Sequence, residues 1–215
     1  MFQEIHIFDF DGTLFKSPVN SPENIKMYEE TTGIPWIIDK DKSIELTEKL
    51  GIPIKTRSGW FGRSETLKPP IVPSPAPLEW FNPHVVAEFI KSKSDENMMT
   101  CLMTGRHLGL KKYVIRICKE GNLFQDENEV SCFFSGEDGP DPQGEKPKDT
   151  LGWKLWIARQ LLKTNSGVKR LVFWEDRTEH VQPFLDLQKE GFTEEVVVNH
   201  VACEDWPNFS KLVAI

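Results

Sequence analysis

The sequence predicts an α/β fold: a doubly wound, Rossmann-like parallel sheet with a small cap insertion after its first strand. Three observations carry that expectation. Short apolar runs rich in Ile, Val, Phe or Met recur along the chain, as parallel strands covered on both faces require. Segments with apolar residues at helical spacing lie between them, and strand alternating with helix implies a parallel sheet with right-handed connections. One long interval, Lys16 to Leu78, breaks the alternation and reads as an insertion.

The first strand is expected at Glu4–Phe10. The interval that follows offers only a possible helix at Lys42–Leu50 and then a proline-dense stretch, Pro69-Pro70 through Pro77. The prolines would stiffen its return to the core. The core is therefore expected at residues 1–15 and 79–215, with a cap at 16–78. Pro83–Lys91 places Val85, Val86, Phe89 and Ile90 on one side, as a helix would, ahead of a second strand at Met98–Thr104. Leu108–Lys119 carries Leu110, Val114, Ile117 and Cys118 at helical spacing, and Val130–Phe134 follows as a strand. Ser135–Thr150 is rich in Gly, Pro and Asp and reads as an exposed loop. A helix at Leu151–Lys163, a strand at Arg170–Trp174, a helix at Val181–Glu190 and a strand at Glu195–Val201 complete the alternation.

Bulk composition narrows the function. The 215 residues leave room for one large domain, or one domain with a sizeable insertion. A content of 39% apolar and 27% charged residues is that of a globular chain. The net charge of −7 argues against a broad basic surface for duplex nucleic acid, though it permits a local basic pocket. The cysteines (Cys101, Cys118, Cys132, Cys203) lie far apart, with no CxxC pair and no His in ligand spacing, so no metal cluster is expected. Cys101 and Cys132 fall in apolar runs and read as buried free thiols. No signal peptide and no apolar segment of about 18 residues or more is visible. The expectation is an intracellular, cytoplasmic protein with no membrane partner.

The chemistry sits where the strands end. Ile5–Phe15 reads IHIFDFDGTLF, an apolar run closing on Asp9 and Asp11. Like charges about 4 Å apart repel by about 4 kcal/mol at an effective dielectric of roughly 20, so a cation or a proton must sit with that pair. Ligands in open α/β sheets bind outside the carboxyl ends of the strands. There the sequence places Asp9, Asp11, Gly12 and Thr13 after the first strand, Thr104, Gly105 and Arg106 after the second, and Glu175, Asp176 and Arg177 after the fourth. Lys154 falls just inside the helix after the exposed loop, with Thr150 as its expected cap. Lys146 and Lys148 are the alternatives for a lysine at that rim.

This set fits phosphate monoester hydrolysis, a reaction whose enzymatic accelerations approach about 10²¹. Asp9 is the expected nucleophile, forming an aspartyl-phosphate. Asp11 is the expected general acid and then general base. Mg²⁺ takes hard oxygen ligands, one or two of them carboxylates. Asp9, Asp11 through its backbone carbonyl, and Asp176 could supply them, with Glu175 in support. Thr104 and the backbone near Gly105 would hold phosphoryl oxygens, and Lys154 would neutralise Asp9 and the transferring group.

These strings resemble the motifs of the haloacid dehalogenase (HAD) superfamily of phosphatases: FDFDGTLF (Phe8–Phe15), MTGR (Met103–Arg106), TLGWK (Thr150–Lys154) and FWEDR (Phe173–Arg177). WFGR (Trp60–Arg63) and LKPPIVP (Leu67–Pro73), with the Glu-Asp-Arg form of the last motif, resemble the Swiss Army Knife RNA repair-like branch. The resemblance implies a HAD-like core with a cap after the first motif, Mg²⁺ as cofactor, and a phosphorylated small molecule or a nucleic-acid end as substrate. Glu175-Asp176 stands where the commoner pattern has two aspartates, and Asp176 is the favoured metal contact.

Several residues admit plainer roles. Arg106 could contact substrate, but a structural pairing with a carboxylate is favoured, as it is for Arg177. His107 and His180 are read as ordinary surface or core histidines, and Trp153 and Trp156 as packing. Trp60, Phe61 and Arg63 form either a substrate lip, in which an aromatic stacks a base, or the interior of the cap. The alternative function is a non-catalytic phosphate- or nucleotide-binding module on the same core. A carbon–halogen hydrolase is disfavoured, because that chemistry has no use for a second aspartate that protonates a leaving group.

Overall fold

The computed structural model describes residues 2–36, 40–51, 59–136, 147 and 149–202. Five strands form one sheet: β1 (Glu4–Asp9), β2 (Met98–His107), β3 (Ser131–Ser135), β4 (Arg170–Glu175) and β5 (Glu195–His200). All pairings are parallel and the order is β3-β2-β1-β4-β5. The α/β expectation holds, with β1 in the centre and a helical insertion behind it.

Period-two alternation along β1 explains its central place. Phe8 faces a hydrophobic cluster with Phe89, Val114, Ile117, Phe134 and Trp174. Ile5 and Ile7 face the opposite cluster, with Met103, Ile157, Leu161, Phe173 and Phe184. Helices α3 (Pro83–Ser94) and α4 (Lys111–Glu120) supply the first layer, and α5 (Thr150–Thr164) and α6 (Thr178–Asp186) the second. On α6, Phe184 stacks on Phe173 at 4.1 Å between ring centroids.

The insertion contains two helices, α1 (Pro22–Thr32) and α2 (Lys40–Leu50). The second answers the helix expected at Lys42–Leu50; the first corrects the expectation of no further element there. Its termini carry strong signals. Ser21 caps it by accepting from Asn24 N, Pro22 opens it, and Gly33 closes it at φ 67°. Its apolar face is slight, with only Asn24 and Tyr28 buried, so hydrophobic spacing passes over it. The chain leaves and rejoins the sheet side by side: Lys16 N donates to Trp80 O at 2.7 Å, and Asn82 N to Leu14 O at 3.0 Å. Tyr28, Trp60, Leu67, Ile71 and Val72 join the same apolar cluster as Phe8 and Phe10.

Element ends differ from expectation in two places that matter below. Strand β2 continues past Thr104 to His107, and its pairing with β3 jumps from Thr104–Phe134 to His107–Ser135. Gly105 and Arg106 thus form a bulge, a device that re-aims side chains. Helix α5 is capped by Asp149, which accepts from Gly152 N at 2.7 Å, and not by Thr150, its first residue. Most of the loop expected at Ser135–Thr150, with Lys146 and Lys148, lies outside the described residues, as does Cys203. Cys101 and Cys118 are buried free thiols, and Cys132 is half-buried. No helix among the described residues is long and apolar enough to cross a membrane.

Candidate active site

The strand order reverses between β1 and its neighbours β2 and β4, and crevices at such switch points receive ligands. Asp9 ends β1 and Glu175 ends β4, with Asp176 next in the chain. Carboxylate oxygens of Asp9, Glu175 and Asp176 all lie within 4.8 Å of one another. At that separation each ionised pair repels by about 3–4 kcal/mol at an effective dielectric of roughly 20.

One lysine answers part of that charge. The Nζ of Lys154, brought in by the second turn of α5, lies 3.0 Å from Asp9 Oδ1 and 2.7 Å from Glu175 Oε2. Burial works to lower the Lys154 pKa, but Asp9 and Glu175 outweigh it and the pKa is raised. Burial pushes Asp9 well above the usual carboxylate range; Lys154 opposes this, while Glu175, Asp176 and Asp11 add to it. Asp176 is pushed up to about 6, by burial first and by Glu175 second. Burial would raise Glu175 too, but a hydrogen bond from His180 and the charge of Lys154 bring it down to about 2.

Glu175 is fully engaged. Its Oε2 receives Lys154, while its Oε1 faces His180 Nδ1 at 3.1 Å and accepts from Arg177 N at 3.3 Å. Asp176 instead lies against the turn after β1. A Cβ added to Gly12, whose φ is +84°, would sit 2.2 Å from Asp176 Oδ2. The turn can approach Asp176 only with glycine there. Three carboxylates against one ammonium, all in hard oxygen chemistry, form a donor set that fits a divalent cation such as Mg²⁺.

Asp11 faces elsewhere. Arg106 Nε lies 3.0 and 2.9 Å from its two oxygens and Nη2 lies 2.7 Å from Oδ1. Ser17 Oγ donates to Oδ1 at 2.5 Å, and Thr104 Oγ1 lies 3.5 Å from Oδ2. Arg106 also donates from Nη1 to Phe61 O and to Thr66 Oγ1, each at 3.1 Å. The β2 bulge therefore sends a buried guanidinium between Asp11 and the insertion. The side chain of Asp11 stays outside the carboxylate cluster, leaving its backbone carbonyl as the group that could turn toward a metal.

Asp9, Asp11 and Lys154 line one cavity of about 190 Å³, with Gly105 and Thr150 in its wall and Phe61, His107 and Arg177 exposed at its rim. A Cβ on Gly105 would meet Thr150 Cγ2 at 2.7 Å, so this glycine lets the start of α5 close on β2. Asp9 thus belongs both to the carboxylate cluster and to the cavity.

Trp60 and Arg63 do not line this cavity: of the two roles open to Trp60, Phe61 and Arg63, Trp60 and Arg63 take the interior and Phe61 the rim. Trp60 is buried and donates from Nε1 to Pro18 O at 2.7 Å. The Arg63 guanidinium stands 4.3 Å from the Trp36 ring and donates to Tyr28 Oη at 2.7 Å. The reason is local. Trp60–Gly62 is a turn of 3₁₀ helix, in which residues three apart eclipse. Trp60 and Arg63 share its inner side, and Phe61 and Gly62 take the outer side. Ser17, Thr66 and His180 are the site residues that the sequence did not single out, and Phe61 is the one of the three candidate lip residues that reaches the rim.

Comparison with known proteins places the chain. The family model described as HAD domain family 1 in Swiss Army Knife RNA repair proteins matches residues 45–204. Among solved structures, the Legionella pneumophila effector Ceg4 superposes with a TM-score of 0.51 at 14% identity, covering 99% of this chain and 92% of that one. The HAD domain of the L. pneumophila effector Lem4 gives 0.47 at 11% identity, covering 99% and 94%. A chain of the Pnkp1/Rnl/Hen1 complex gives 0.43 at 13%, covering 93% of this chain and 47% of that one.

Proposed function

The chain belongs to HAD domain family 1 of the Swiss Army Knife RNA repair proteins, and from that premise we propose a Mg²⁺-dependent phosphohydrolase that works through an aspartyl-phosphate on nucleotides or nucleic-acid ends. The observation that carries this reading is the double placement of Asp9. It lies in the carboxylate cluster with Glu175 and Asp176, and it opens on the cavity beside Asp11. The family's link with RNA repair supports the substrate class.

Residues 1–15 and 79–215 act as the core that holds the acids, and 16–78 as the cap. Asp9, Asp176 and the backbone carbonyl of Asp11 hold the metal, with Glu175 behind them. Bound there, Mg²⁺ supplies charge neutralisation for the acids and the phosphoryl oxygens. Thr104 and the Gly105 backbone receive the phosphoryl group, and Lys154 stabilises charge on it as it transfers. An Asp9 carboxylate oxygen attacks phosphorus, and the ester P–O bond breaks. Asp11 gives its proton to the departing oxygen. Asp11 then takes a proton from water, whose oxygen attacks phosphorus and breaks the bond to Asp9, releasing inorganic phosphate. Arg106 and Ser17 fix Asp11 for both proton transfers.

The test is release of inorganic phosphate from an aryl phosphate ester, dependent on Mg²⁺ and abolished in Asp9→Asn. No turnover across a broad panel of phosphate esters with Mg²⁺ supplied would overturn the reading.

A further inference from the structure

The cavity beside Asp9 is small. Its volume of about 190 Å³ lies below the ~300–1,000 Å³ of pockets that enclose a drug-sized ligand. It has room for a phosphoryl group and the atoms nearest to it, so the rest of a phosphate ester must lie across the rim. Among the described residues of its wall, Phe61 is the one large apolar side chain, and it is 38% exposed. An aromatic ring left open to water at a charged rim is unfavourable until something covers it.

The ring is also held in place. The Arg106 guanidinium stands 5.1 Å from its centroid, and the Phe61 carbonyl accepts from Arg106 Nη1 at 3.1 Å. Arg106 is itself fixed on Asp11, its Nη2 lying 2.7 Å from Oδ1. A cation therefore anchors the ring beside the group assigned to the departing oxygen.

We propose that Phe61 determines specificity at this site by stacking a nucleobase of the departing group on its open surface while the phosphate enters the cavity. This rests on the phosphohydrolase reading for its ligand class. Base stacking on an aromatic ring tolerates any base, because every base has a π-face. A free nucleotide and a strand end present that chemistry alike.

The test measures binding by titration calorimetry with Mg²⁺ supplied, in the Asp9→Asn background so that no ester is consumed. The ligands are adenosine 5′-monophosphate, a 5′-phosphorylated oligonucleotide and glycerol phosphate. Phe61→Ala is expected to weaken at least one adenosine-type ligand by about fivefold or more, and glycerol phosphate by less than about twofold. Phe61→Trp is expected to restore the loss. A loss confined to the oligonucleotide assigns the strand end; a loss for both assigns the nucleotide. An equal loss for glycerol phosphate would show the ring acting through Arg106 and overturn the proposal. So would unchanged affinities, or no binding of either adenosine ligand to the protein with Phe61 intact. Turnover by the wild type is read separately. Discrimination without turnover removes the phosphohydrolase reading and keeps the role of Phe61; turnover without discrimination does the reverse.

Discussion

Lys154 and Glu175 form a buried ion pair, with Nζ 2.7 Å from Oε2 and neither side chain more than 3% exposed. The same ammonium reaches Asp9 at 3.0 Å. One cation therefore serves acids at the ends of two adjacent strands, and its removal leaves both buried without it. Lys154→Met is expected to destabilise the fold by about 3–5 kcal/mol, read as a lower urea midpoint at unchanged slope. The same variant should lose at least about 10²-fold in kcat. An unchanged midpoint would contradict the placement of Lys154 as the counter-charge.

Metal binding should depend on pH through Asp176. Its folded pKa of about 6 lies above the ordinary 3.8, so its contribution to stability is present below pH 3.8 and is lost as pH rises through 6. Glu175 runs the other way. Its folded pKa of about 2 lies below 4.5, so its contribution is present above pH 4.5 and is lost as pH falls through 2. A divalent ion binds the ionised form of Asp176 and offsets what ionisation costs the metal-free protein. The Tm gain from Mg²⁺ should therefore be larger at pH 7.5 than at pH 5, by about 3–6 °C. Differential scanning calorimetry of the wild type and Asp176→Asn tests this, and the variant should show a smaller difference, since Asp9 is raised as well.

Gly12→Ala probes the approach of the first turn to Asp176. A Cβ there meets Oδ2 at 2.2 Å, in backbone at φ +84°. Left-handed backbone costs an L-residue about 1–2 kcal/mol, and the carboxylate must also move. Stability should fall by at least that amount, and Mg²⁺ affinity by about tenfold. Calorimetric titration with Mg²⁺ would expose an error here as an unchanged affinity.

Asp11→Asn should separate proton transfer from phosphoryl transfer. Arg106 and Ser17 donate to the carboxylate, and the amide keeps its shape and one of its two acceptor oxygens. Alkyl phosphates, whose leaving oxygen needs a proton, should lose about 10²–10⁴-fold in kcat/KM, which reads transfer to Asp9 and not the later hydrolysis that Asp11 also serves. p-Nitrophenyl phosphate, with a stable phenolate leaving group, should lose far less. A uniform loss across both esters would remove the assigned role.

Much of this was legible in the chain. The strands announced themselves as short apolar runs, and the rule that ligands gather at their carboxyl ends collected Asp9, Asp11, Thr104, Lys154, Glu175 and Asp176. Helix α1 was hidden because its stability rests on caps and a few contacts, so its signals were Ser21, Pro22 and Gly33 and not a periodic apolar face. That Phe61 alone of Trp60, Phe61 and Arg63 reaches the rim follows from a 3₁₀ period that no single turn of sequence reveals. The link from Arg106 to the insertion depends on the β2 bulge. Such an irregularity is set by how two strands fit, and neither strand encodes it alone.

The central position of β1 has a temporal consequence. Asp9 leaves the ribosome well ahead of its hydrogen-bonded neighbours β2 and β4, and the latter ends at Glu175. At synthesis rates of about 5–20 residues per second, that gap lasts on the order of ten to thirty seconds. Until β4 arrives the nascent chain carries Asp9 without Glu175 and Asp176, so on the phosphohydrolase reading a product stalled before that point stays inactive.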